Sequence, residues 1–480
     1  MPAALTDVLF DRAARDPHRP AILMPELTLS YRQLAAEAAG IARLLVALQL
    51  EGTRISLLLP NVPRFASVLY GVLGAGGTAV MTNPVNSPRE VAEQFADAGV
   101  SAAFTTETLR HLLPPDAQVL IIDSLPDAVR SVTDHEERVL PLPAADMLPV
   151  QPLDGDAPAA ILFTAAEEGR ARGAVLSHRN LLANLRSTVE MMRLSEEDRL
   201  LAAIPQVHAF GLTVSLNAAL AAGAAIVPVE RFHPVRTLEL MQQTGVTVLA
   251  GVPAMYLGIL SVLERSPTPS HTLRITLSGG APIHPGVQTR WEEKLGIPLR
   301  QGYGLTEASP VCLFNSPDPP NRPGTLGRPV PGVEVAVLDP HGEPLPPGEV
   351  GEICVRGENV FAGYLDGSSR KHPPSRGGWL RTGDLGRQEA DGFIRFVGLL
   401  KAMFTRSGFN VYPRELERVI EGDERVARAT VYAQPDPVRE NEIVLQVDVA
   451  PGASLTEDDV REICRSQLAA YKQPARILIQ

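Results

Sequence analysis

Cysteine is nearly absent: 480 residues contain three, and Cys312, Cys354 and Cys464 form neither a CxxC pair nor a cluster with histidine. That spacing argues against a disulfide framework or a zinc site, and it fits a reducing cytoplasm. Positive charge is also scarce. Lys and Arg number 44 against 55 Asp and Glu, leaving a formal net charge of −11. A protein that coats nucleic acid needs a basic face, so that class is not expected, although a single bound nucleotide is compatible with an acidic chain. The N-terminus lacks a basic segment ahead of an apolar run and soon reaches Asp7, Asp11 and Arg12, so a secretory signal is not expected. Long uninterrupted apolar runs are missing as well. Residues 201–229 carry no Asp, Glu, Lys or Arg, but Pro205, Gln206, His208, Gly211 and Asn217 interrupt them. A bilayer helix needs about 20 largely unbroken apolar residues. The stretch therefore reads as a loop, a buried core helix and a short strand near 224–229. No internal repeat or low-complexity tract stands out.

What is present is a soluble globular composition, 45% hydrophobic and 21% charged, long enough for two or three domains. Short apolar runs predict strands over 55–59, 78–81, 119–122, 160–163, 224–229, 246–249 and 273–277. Helix-period segments lie between them, such as 89–98, with Ser87 as N-cap, Pro88 in the first turn, and Val91 and Phe95 one turn apart. This alternation predicts an α/β fold with parallel sheets covered by helices. From about Gly332 the period changes to two. Val333, Val335 and Val337 alternate, as do Ile353 and Val355, which predicts a smaller antiparallel sheet or barrel. Residues 366–378 are polar, with Pro373, Pro374 and glycines, and read as a surface loop. After about Leu400 a small α+β unit is expected. Its elements are a helix over 413–420, an alternating strand over 442–449, and a helix opened by a Thr456/Asp459 capping box. The chain stops at Gln480 just after the apolar Ile477-Leu478-Ile479, which reads as an early end to that unit.

Four motifs carry the chemistry. In Gln301-Gly302-Tyr303-Gly304-Leu305-Thr306-Glu307-Ala308, glycines flank an aromatic ring that can stack on a purine. Thr306 can donate to a phosphate oxygen, and Glu307 can hold Mg²⁺. Ser278-Gly279-Gly280-Ala281-Pro282 follows a strand with residues small enough to admit a flat ligand. Arg381-Thr382-Gly383-Asp384-Leu385 offers a carboxylate for two ribose hydroxyls. Gly408-Phe409-Asn410-Val411-Tyr412-Pro413, with Glu415 and Glu417, opens the small unit.

In this order the four resemble the adenylate-forming superfamily. Residues 204–213 and 322–327 further resemble bacterial long-chain acyl-CoA synthetases. The resemblance runs from about Leu9 to the C-terminus. It implies an AMP-binding N-terminal domain over 1–398, with a small β-barrel-like subdomain, a hinge at 399–402, and a small α+β C-terminal domain over 403–480. It implies use of ATP or AMP, Mg²⁺ and CoA, with a carboxylic acid such as a fatty acid as substrate. The expected location is the cytoplasm or the periphery of a membrane. By residue-wise transfer, Tyr303 stacks on adenine beside Gly279, Gly280, Ala281 and Gly304, and Asp384 binds ribose. Thr306, with Thr164 and Lys401, faces the nucleotide. Glu307 binds the metal, and His208 borders the acyl pocket.

Three departures from the family pattern bear on activity. The phosphate loop, usually close to Thr-Ser-Gly-Thr-Thr-Gly-x-Pro-Lys-Gly, reads Thr164-Ala165-Ala166-Glu167-Glu168-Gly169-Arg170-Ala171-Arg172-Gly173 here. Hydroxyl donors are lost and two acids gained. Like charges about 5 Å apart cost roughly 3 kcal/mol at an effective dielectric of about 20, while Arg170 and Arg172 can offset part of this. At the hinge, Leu399 and Ala402 stand where the family has arginine and aspartate. The family's catalytic lysine lies beyond the Tyr471-Lys472-Gln473-Pro474 match, and Lys472 is not its positional equivalent. An impaired adenylation step is the expectation, with a non-catalytic adenylate- or acyl-CoA-binding protein as the alternative.

Overall fold

A computed structural model describes residues 3–122, 128–133, 136–143, 154–164, 171–265, 270–318, 320–366, 369–370, 375–376, 378–400, 403–450 and 453–480. The apolar runs do form strands, and these collect into two large sheets. In one sheet of ten strands, Val119–Ile121, Ala102–Thr105, Arg54–Leu58, Thr78–Met81 and Pro158–Thr164 lie parallel in space. Arg172–Ser177 then adds antiparallel to Pro158–Thr164, and Gly363–Asp366 adds antiparallel to Arg172–Ser177. The nine-stranded sheet runs parallel from Leu299–Gly304 through Ile275–Ser278, Val248–Gly251, Arg199–Ala202 and Ala225–Pro228 to Pro20–Leu23. Strands such as Thr78–Met81 and Ile275–Ser278 are buried along their whole length, as expected of parallel sheets covered on both faces. One core joins both sheets through helices that include Leu34, Ile41, Phe65, Tyr70 and Leu185.

Where polarity interrupts residues 201–229, the backbone turns. Strand Arg199–Ala202 precedes a buried π-helical turn, Gly211–Asn217, then helix Ala218–Ala222 and strand Ala225–Pro228. Gly211 is required there, because a Cβ would run into the Pro205 carbonyl. No helix among the described residues is long and apolar enough to cross a membrane.

The period-two segments form a five-stranded antiparallel sheet in which Val333–Leu338 pairs with Val350–Gly357, and that strand with Trp379–Gln388. Its pairings among the described residues form an open path with one branch rather than a closed barrel. The polar segment read as a loop is partly strand. Gly363–Asp366 turns back on Ser369–Arg370, and Ser375–Arg376 pairs with Trp379–Gln388, because main-chain pairing needs no apolar side chains there. Of the hinge expected at 399–402, Lys401 and Ala402 lie outside the described residues.

The C-terminal unit has its own core of Val411, Leu416, Ile420, Ile443, Leu445, Val460 and Cys464. Helices Pro413–Ile420 and Glu457–Gln467 pack with the three-stranded sheet. Thr456 caps the second helix by accepting from the Asp459 N–H, and the Asp459 carboxylate accepts in return. Cys312 is buried in the large core, Cys464 in the small one, and Cys354 on a strand of the five-stranded sheet; all three are free thiols.

Candidate active site

The C-terminal ends of the parallel strands, the five-stranded sheet and the small unit enclose a cleft of about 1060 Å³. Strand Ile275–Ser278 ends in Gly279 and Gly280. Gly280 has φ +80, a left-handed conformation that favours glycine, and Gly280 and Ala281 line the cleft. Gly279 lies behind them, where a Cβ would sit 3.0 Å from the Phe210 ring. On the neighbouring strand, Leu299–Gly304, Tyr303 faces the cleft and Gly304 packs so closely on the Pro310 carbonyl that no side chain fits.

Tyr303 donates through its hydroxyl to Asp384 Oδ2 at 2.6 Å. Asp384 stands on strand Trp379–Gln388 at a shift in register held by Glu352, whose Oε1 accepts from the Gly383 N–H at 2.9 Å and whose Oε2 accepts from Arg381 at 2.6 Å. Burial raises the Asp384 carboxyl to about 6, against the pull of the Tyr303 hydrogen bond. The pair thus offers an aromatic ring and a carboxylate side by side, a combination suited to a nucleoside.

Glu307 follows on a short 3₁₀ turn, Thr306–Ala308. Its Oε1 accepts from the Tyr364 hydroxyl at 2.6 Å and from the Thr164 hydroxyl at 3.4 Å. Among the described residues no group of three or more His, Cys, Asp or Glu could form a metal cage. Magnesium usually takes one or two carboxylates and completes its shell with phosphate oxygens and water, so a single carboxylate facing the cleft suits it. His208 is exposed on the cleft wall, and its Nδ1 accepts from the Phe210 N–H at 3.3 Å. Of the phosphate segment, Thr164 and Arg172 flank the cleft, whereas residues 165–170, with Glu167, Glu168 and Arg170, lie outside the described residues.

The small unit forms the opposite wall. Gly408, Phe409, Tyr412, Tyr471 and Lys472 line it, and the Phe409 and Tyr471 rings stack at 4.5 Å. Gly408, at φ +81, meets the large unit so closely that a Cβ would lie 3.1 Å from Val252. Lys472 is 5% exposed and bridges the two units: its Nζ donates to Glu90 Oε1 at 2.6 Å and to Glu415 Oε1 at 2.7 Å. Glu90 closes the capping box of helix Pro88–Ala98 with its other oxygen, which accepts from the Ser87 N–H at 2.8 Å. Burial presses the Lys472 ammonium toward neutrality, but Tyr471, Glu415 and Glu90 outweigh it and hold the proton on. Sequence reasoning assigned no role to Tyr364 or Glu90, and it passed over Lys472.

Residues 9–365 match the family described as AMP-binding enzyme, and residues 415–480 match its C-terminal domain. A long-chain-fatty-acid–CoA ligase of Bacillus subtilis (strain 168) is 30% identical, over 98% of this chain and 90% of its own. A feruloyl-CoA synthase of an Amycolatopsis species is 31% identical, over 97% and 93%. A solved double mutant of o-succinylbenzoate CoA synthetase from Bacillus subtilis, bound to a product analogue, superposes with a TM-score of 0.85 at 25% identity, over 99% of this chain and 94% of that one. The chain therefore belongs to the family of AMP-binding, adenylate-forming enzymes, among their acyl-CoA ligases.

Proposed function

We propose that the protein binds an adenine nucleotide and a carboxylic acid in this cleft, and that it is a fatty acid–CoA ligase working through an acyl-adenylate. One observation carries the reading: the 279–281, 301–308 and 381–384 segments converge on a single cleft walled by 408–412. Tyr303 and Gly280–Ala281 take the adenine, Asp384 the ribose, and Thr306, with Thr164 and Lys401, the phosphates. His208 borders the acyl group. Mg²⁺ on Glu307 would offset negative charge on the phosphates as pyrophosphate leaves. Residues 399–402 act as the hinge between a domain over 1–398 and one over 403–480. A fatty acid is preferred to an aromatic acid on the name of the Bacillus relative, and the feruloyl-CoA synthase is the reason to test both classes.

Within this reading the adenylation half-reaction is weak. Glu167 and Glu168 oppose phosphate, and Leu399 and Ala402 replace hinge residues. Thioester formation draws on 408–413 instead. The test uses one preparation for two assays: acyl-CoA from fatty acid, ATP and CoA, and acyl-CoA from synthetic acyl-adenylate and CoA. The expected result is slow or absent turnover in the first and detectable turnover in the second. Brisk turnover in the first removes the claim of impairment. No turnover in either, with AMP still bound, favours a non-catalytic adenylate- or acyl-CoA-binding protein, the reading that the two acids also motivate.

A further inference from the structure

We propose that Tyr364 is a positioning residue for Glu307: its hydroxyl fixes one carboxylate oxygen so that the other is presented to a divalent cation on the nucleotide phosphates. This rests on the cleft being a nucleotide site. Three adjacent strands create the arrangement. Tyr364 pairs with Ala174, and Arg172, two residues before Ala174, pairs with Thr164. Residues two apart on a strand, and residues paired across strands, share a face. Tyr364, Arg172 and Thr164 therefore emerge together on the face that meets Glu307.

Two hydroxyls converge there on one atom. Tyr364 donates to Glu307 Oε1 at 2.6 Å, the Thr164 hydroxyl divides its one proton between that oxygen and the Arg172 carbonyl, each at 3.4 Å, and among the described residues no hydrogen bond reaches Oε2. The terminal torsion of a glutamate is soft, so a free carboxylate would sample many orientations. Tyr364 itself is tightly held. It is 7% exposed, its ring meets Phe361 edge-on at 4.8 Å, and the Phe361 N–H donates to the Glu307 carbonyl at 2.8 Å. The Arg172 guanidinium lies 3.6 Å from the ring centroid on its face. A cation in that position strengthens the phenol as a donor. Neutral donors leave the carboxylate its full negative charge, so it is oriented but still able to take a hard cation.

The test uses the full chain with Mn²⁺ as probe and a non-hydrolysable ATP analogue, reading bound Mn²⁺ by electron paramagnetic resonance. Tyr364→Phe keeps the ring, the Arg172 contact and the packing, and removes only the oxygen. Mn²⁺ affinity in the nucleotide complex is expected to fall about tenfold, the lower end for losing a partner of a metal ligand. Nucleotide affinity measured in a chelator should not change. Thr164→Val, on the same oxygen, should act in the same direction and more weakly, and it provides the measurement if Tyr364→Phe fails to fold. On a Glu307→Gln background Tyr364→Phe should have no further effect on Mn²⁺. Unchanged Mn²⁺ affinity in Tyr364→Phe, or an equal loss on the Glu307→Gln background, overturns the assignment. If the unmutated chain binds no nucleotide with or without metal, the reading of the cleft falls and this proposal with it.

Discussion

Two groups of carboxylates face the same cleft and are satisfied in opposite ways. Glu307 and Asp384 are held by tyrosine hydroxyls, each at 2.6 Å. Glu90 and Glu415 share the ammonium of Lys472 at 2.6 and 2.7 Å. A hydroxyl orients a carboxylate without neutralising it, so charge remains for a ligand. An ammonium offsets charge as it orients, and here one ammonium is shared between two carboxylates, so it cancels one of their two charges while fixing both. The first pattern builds the large unit's wall for binding; the second ties the small unit to it.

The comparison can be broken most sharply at Lys472. Lys472→Met would leave Glu415 and Glu90 without their cation in a site where Glu415 Oε2 is already buried without a partner. A cost of about 3–5 kcal/mol is expected, read as a shift in urea unfolding, with part of it regained on adding Glu415→Gln. Glu307→Gln should do the reverse: stability nearly unchanged, but Mn²⁺ affinity in the nucleotide complex reduced by about 100-fold, measured by electron paramagnetic resonance. A smaller effect is expected from Asp384→Ala, which should weaken AMP binding by about 1–3 kcal/mol in calorimetry through loss of charge-assisted hydrogen bonds.

The smallest effect is one of pH. Because the Asp384 carboxyl is raised to about 6, the affinity for adenosine, which carries no titrating phosphate, should rise as pH climbs through 6 and flatten above 7, by at most about tenfold per pH unit. Asp384→Asn should remove that slope. The sign for folding is opposite. The folded state holds this proton more tightly than the unfolded one, so the stability that Asp384 contributes is full below about pH 4 and lost as pH rises through 6.

Much of the scaffold was legible in the sequence because burial on both faces writes strands as apolar runs. Residues 78–81 match strand Thr78–Met81, and the helix read over 413–420 matches Pro413–Ile420. The Ser87 N-cap and the Thr456–Asp459 capping box were readable because a cap's contacts lie three residues away, whereas the part that Glu90 plays in closing a box at Ser87 was not read. The small sheet was readable as an alternation, but the hairpin within 363–370 was not, because main-chain pairing leaves no trace in composition. At the site, motif order brought Tyr303, Glu307 and Asp384 into view. Tyr364 and Lys472 stayed hidden, since their partners are 57 and 382 residues away and only the fold makes them neighbours.

The three thiols have a use beyond excluding disulfides. Cys312 and Cys464 sit in separate cores, and burial raises both, Cys464 to about 11. A buried thiol reacts with a probe only when its surroundings open. Labelling rates at these two positions therefore act as independent clocks, one for opening of the large core and one for the small. A ligand that closes the cleft without tightening either core should slow neither clock, whereas one that rigidifies the small unit alone should slow only the label at Cys464.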